Sequence, residues 1–122
     1  MSITRKVYLI TGLEIQNALT DKWEDWKYRD KIEEYLETHS EGKIEIIEDG
    51  FCGEYTYLGY VHASAEDDDS FVETIDPFDV KKQNIINENI LQTLKDLAEF
   101  GVINFDKVAN VPFKYILFSH YW

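Results

Sequence analysis

The stretch 43–65 reads KIEIIEDGFCGEYTYLGYVHASA, and the pairing of its two halves decides the fold. Residues 43–48 alternate imperfectly between apolar and charged side chains, Asp49-Gly50 is a strong turn signal, and 54–65 is a long aromatic run. The expectation is a β-hairpin. With a period of two, Tyr55, Tyr57, Gly59, Val61 and Ala63 share one face of its second strand, while Thr56, Leu58, Tyr60, His62 and Ser64 share the other. Aromatic side chains on both faces suit a central strand, and Gly59 marks a bulge or a close backbone approach.

Working outward, 6–11 (KVYLIT) is rich in β-branched and aromatic residues and stops at Gly12, which suits a first strand buried on both faces. From Leu13 the pattern turns helical. Asp21 followed by Glu24 resembles a capping box opening a helix to about Thr38. Tyr28, Ile32, Tyr35 and Leu36 give that helix one apolar face, extended at its start by Trp23 and Trp26. Downstream, Asp76-Pro77 offers an N-cap followed by proline at the first helical position, with Asp79 near the positive helix end. Ile86, Ile90, Leu94 and Leu97 form the stripe of this second helix, Ile85, Leu91 and Phe100 widen it, and Gly101 caps it. Residues 113–121 alternate as a last strand. The order β-α-β-β-α-β predicts a single α+β domain over 1–122, with a mainly antiparallel four-stranded sheet and two helices packed on it. That order admits a ferredoxin-like arrangement. A fold so widely used specifies no function.

Hydrophobic residues make up 44% of the 122 and aromatics 15%, enough for a packed core. Twelve Lys and Arg face 24 Asp and Glu, a formal charge of −12. Direct nucleic-acid binding and an anionic membrane are disfavoured, because both depend on Lys and Arg. A basic protein is attracted instead, although acidity also serves solubility alone. Cys52 is the only cysteine, so no intrachain disulfide forms and a reducing cytosol fits. The apolar run 7–10 is too short for a signal-peptide core, and no stretch approaches a membrane span. The expected location is cytoplasmic.

The densest charge lies in 66–79, EDDDSFVETIDPFD, with seven carboxylates and no basic residue. Glu66, Asp67, Asp68, Asp69, Glu73 and Asp76, with Phe71 among them, are the candidate partner-binding residues. Phe71, Phe78, Trp23 and Trp26 are candidate apolar anchors, since interfaces combine aromatic hot spots with charge complementarity. The alternative is a solvated loop. Calcium is disfavoured, because Phe71 occupies the third alternating ligand position counted from Asp67 and no glycine follows it. Glu33, Glu34 and Glu37 of the first helix, with Glu45, Glu48, Asp49 and Glu54 of the hairpin, add to the acidic surface. Aligned on a rigid surface, such carboxylates imitate a phosphate backbone.

Catalytic signals are weak. The histidines are His39, His62 and His120, and convergence of His62 and His120 with Tyr60 and Ser64 would make an alternative pocket at the aromatic hairpin. His62-Ala63-Ser64 is one H-x-S, half of what two-histidine phosphoesterases use, and His120 is followed by Tyr121 and Trp122 instead of a second copy. Cys52 has no basic neighbour to activate its thiol. No catalytic residue, metal or cofactor is assigned.

In size and charge, and in no motif, the chain resembles two groups of small inhibitory proteins. One is the phage-encoded anti-defence proteins, including anti-CRISPR proteins and DNA mimics; the other is the immunity proteins that neutralise nucleases. The resemblance implies a non-enzymatic inhibitor or adaptor that binds a basic, nucleic-acid-handling protein, in the host cytoplasm if phage-encoded. The competing expectations are a small-molecule-binding domain or modest enzyme, and a homodimer joined through a sheet edge or aromatic face.

Overall fold

The computed structural model describes residues 5–39, 43–49, 55–66 and 74–121, the last two as backbone. The strands are β1 (Arg5–Glu14), β2 (Ile44–Glu48), β3 (Thr56–Glu66) and β4 (Lys114–Tyr121), and the helices are α1 (Trp26–His39) and α2 (Val80–Phe100). They make one four-stranded sheet in the order β2-β3-β1-β4, antiparallel at every pairing. β1 and β2 therefore run the same way with β3 between them, and β3 and β4 do so with β1 between them. Each β-α-β unit is thus split by a strand of the other, as the ferredoxin-like order requires.

The expected hairpin is present, with Ile44 opposite Tyr60 and Glu48 opposite Thr56. Asp49 closes it by donating its N–H to the Tyr55 carbonyl at 2.9 Å. The expected turn residue Gly50, together with Cys52 and Glu54, lies outside the described residues. β3 is internal, flanked by β2 and β1.

Gly12 does not end the first strand. β1 runs two residues further, and Gly12 sits opposite Gly59. A Cβ on Gly12 would stand 2.0 Å from the Leu58 carbonyl oxygen and 2.6 Å from the Gly59 Cα. The glycine pair lets the two central strands approach, which a sequence reading of glycine as a terminator misses.

The expected capping box is also absent. Asp21–Glu24 is a 3₁₀ turn whose N-cap, Thr20, makes no side-chain capping bond, and α1 begins only at Trp26. Trp23 is buried, whereas Trp26 is 67% exposed and adds nothing to the apolar face. α2 starts one turn later than expected. Its N-cap is Asp79, whose carboxylate accepts the Lys82 N–H at 3.1 Å, while Asp76 accepts from Phe78 N–H in the preceding turn. At the other end Gly101 takes φ +82°, as a left-handed C-cap does.

Both helices pack on one face of the sheet. Ile32 and Leu36 of α1 and Ile86, Ile90, Leu94 and Leu97 of α2 meet Leu13, Ile44 and Leu58 there. Ile85, Leu91 and Phe100 do not widen the buried stripe, being partly or largely exposed. Tyr35 donates to the Asp96 carboxylate and so ties α1 to α2; burial first, and then Asp96, pushes its phenol above the usual range. Chain segments before α1 and after α2 are laced together by the Leu19–Ile103 bridge and by Thr20 Oγ1 donating to the Gly101 carbonyl at 2.6 Å. The opposite face of the sheet carries a second cluster, Tyr8, Ile10 and Ile47 with Tyr57, Val61, Ile116 and Phe118 around them. Its rings are in contact, Tyr57 and Phe118 at 4.8 Å and Tyr8 and Phe118 at 5.5 Å between centroids. Among the described residues, no helix is long and apolar enough to cross a membrane.

Candidate functional site: an acidic groove between α1 and the sheet edge

Among the described residues β2 is an edge strand, paired on one side only. The Lys43 carbonyl accepts from Val61 N–H at 2.8 Å and the Asp49 N–H donates to Tyr55, so the odd-numbered residues of this strand turn their amides to β3. Ile46 and Glu48 then turn theirs to the open edge. Along that edge lies a groove of about 500 Å³ between β2 and α1. Ile32, Leu36, Ile44 and Ile46 are its apolar lining, with Glu33, Glu37 and Glu48 beside them. Glu45 also borders the groove, but it alternates with Ile44 and Ile46 and so shares the other face of the sheet with Ile47.

One end of the groove is built. Glu48 accepts from Trp23 Nε1 at 2.7 Å and from Arg29 Nη2 at 3.2 Å, while Arg29 Nε donates to the Trp23 carbonyl at 2.5 Å. The guanidinium also lies over the Trp23 ring, 4.5 Å from its centroid, a cation–π contact that holds the indole in place. Glu48 is therefore already neutralised. Glu33 and Glu37 are not: among the described residues neither has a cation within ion-pair distance. They sit one turn apart on α1, where like charges at i and i+4 destabilise a helix by a few tenths of a kcal/mol. Burial pushes the Glu45 carboxyl above the usual carboxylate range, with Lys6 acting in the opposite sense. A cationic group entering the groove would relieve the repulsion between Glu33 and Glu37.

The described ends of the acidic run lie elsewhere. Glu66 is exposed at the end of β3, opposite Lys6, and Asp76 is exposed before α2. Asp67, Asp68, Asp69, Phe71 and Glu73 lie outside the described residues. Glu66 is six residues along β3 from Tyr60, the partner of Ile44, or roughly 20 Å at strand spacing, so it is not part of the groove. Of the expected anchors, Phe78 is 86% exposed and Trp26 is exposed, while Trp23 serves inside the groove.

The alternative pocket comes together only in part. His62 is the extra residue of a β-bulge, since Leu9 pairs with Ala63 and Ile10 with Val61. Its Nε2 is 2.5 Å from Thr11 Oγ1, and its ring lies 5.2 Å from Tyr60 and 5.5 Å from Tyr115. Burial first, and then Lys82, lowers its pKa below the ordinary imidazole value. Tyr60 stays on its face. Ser64 does not: the bulge shifts the register so that Ser64 stands opposite Tyr8, on the alternate face, which corrects the expected shared face of Tyr60, His62 and Ser64. The backbone register places His120 opposite Lys6, out of phase with Tyr115 opposite Thr11. Among the described residues no group of His, Cys, Asp and Glu could hold a metal ion.

Glutamates at i and i+4 on α1 were legible from the sequence; their meeting with β2 was not, because it depends on β2 being an edge. Comparison with protein-family models, curated proteins and solved structures finds no match to the chain.

Proposed function

We propose that this chain is a non-enzymatic inhibitor or adaptor that captures a basic, nucleic-acid-handling protein through its acidic surface. The observation that carries the reading is the groove between α1 and β2. There, Glu33 and Glu37 lack the cation that Arg29 gives Glu48, and they lie beside an apolar lining. An aromatic or aliphatic side chain flanked by Lys or Arg satisfies such a surface on both counts. The net charge of −12, to which the acidic run from Glu66 to Asp76 contributes, steers a cationic partner toward the chain. An anti-defence protein of the anti-CRISPR or DNA-mimic kind, or a nuclease immunity protein, acting in the cytoplasm of a host cell, fits these features.

Affinity capture from bacterial lysate at low salt and at about 0.5 M salt, where exposed charge interactions are strongly screened, tests the reading. Three baits are compared: wild type, Glu33→Gln/Glu37→Gln, and Asp67→Asn/Asp68→Asn/Asp69→Asn. The expected result is a basic nucleic-acid-handling protein that is held at low salt, lost at high salt and depleted on the groove variant. Capture that neither salt nor either variant alters, or the absence of any basic partner, overturns it.

A further inference from the structure

On the side of the sheet edge away from Glu48, the charge reverses. A cleft of about 550 Å³ opens between the end of α1, the start of β2 and the first turns of α2. It is lined by Lys43, Lys81, Lys82 and His39, with Tyr60 and Ile86 as its uncharged wall. Three of the chain's twelve Lys and Arg thus converge on one cavity of a protein with twice as many acids as bases. Among the described residues, no carboxylate lies within ion-pair distance of any of the three lysines. Asp79, the α2 N-cap that accepts from Lys82 N–H, also lines the cleft and offsets one of the three positive charges.

We propose that this cleft is a binding site for a small phosphorylated molecule. Three lysines and one aspartate line the cleft, so its fixed charge is positive, and an anion that enters it offsets that charge. A phosphate-bearing ligand supplies two or more negative charges at neutral pH and several acceptor oxygens, which suits lysines acting as point charges from different elements; a monocarboxylate supplies one. Tyr60 and Ile86 offer an apolar wall for the uncharged part of the ligand, and the volume lies in the range of small-molecule sites. This site is separate from the acidic groove, so it stands or falls independently of the partner-capture reading.

Titration of the ¹⁵N-labelled protein with inorganic pyrophosphate, against sodium chloride at matched ionic strength, tests the site. The expected result is a saturable shift of the Lys43, Tyr60, Lys81 and Lys82 amides with pyrophosphate only. Lys81→Gln/Lys82→Gln should weaken it about tenfold or more, and Lys81→Arg/Lys82→Arg should retain it, because these exposed positions need charge. Lys114→Gln, on the far edge strand, should leave it unchanged. Equal shifts with chloride, a linear response without saturation, or undiminished binding in the double Gln variant overturns the proposal. A cleft already neutralised by the chain's own acidic run would give the first two of these results.

Discussion

His62 shows what a single inserted residue does to a strand. As the unpaired residue of the bulge it keeps the face of Tyr60 but throws Ser64 onto the other face, so the H-x-S spacing loses its meaning at the step where alternation fails. Its ring is packed between Tyr60 and Tyr115 with Thr11 at its Nε2, a setting that penalises the imidazolium. A base whose pKa is lower in the folded than in the unfolded chain takes up its proton in the unfolded chain first. Stability is therefore full above the unfolded value of about 6.5 and is lost as pH falls from there toward the folded pKa. Glu45, whose pKa is raised, acts in the opposite sense, losing stability as pH rises above the carboxylate range. The difference between wild type and His62→Gln isolates the histidine. Denaturant midpoints measured from pH 7.5 down to 5 should fall more steeply in the wild type, and parallel curves would contradict this. That His62 was worth singling out was legible in the sequence; the bulge was not, because no local residue pattern marks it.

At the scale of the element, composition located every strand and helix but misplaced their starts. Two acid–spacing patterns resembled caps, Asp21 with Glu24 and Asp76 with Pro77, and neither is one. The residue that does cap α2 is Asp79, three positions later, because the turn at Pro77 and Phe78 is completed before helical geometry begins. Asp79→Ala should therefore cost about 1 kcal/mol of stability, and Asp76→Ala only a few tenths, as chemical denaturation would measure. Equal losses would restore the sequence reading. The apolar stripe of α2 was legible in the spacing of Ile86, Ile90, Leu94 and Leu97, all buried. Ile85, Leu91 and Phe100 were not separable from it, since one sheet face accommodates a narrower stripe than the helix offers. Gly12 failed for a related reason, because close approach to Gly59 is a property of two strands and not of one.

Across the whole molecule, the charge is divided by topology. The order β2-β3-β1-β4 leaves β2 at an edge beside α1, and two grooves follow from that placement, one acidic and one basic. Net charge located neither, since a total of −12 says nothing of where twelve cations gather or which carboxylates meet. The same placement joins α1 and β2 in one surface, and amide hydrogen exchange on the chain with any basic partner it captures tests whether that surface is the one used. Binding should slow exchange at 32–37 of α1 and at Ile46 and Glu48 on the open edge of β2, with little change along β4. Protection confined to β4 or to the aromatic face of the sheet, with α1 and β2 unaffected, would contradict the account.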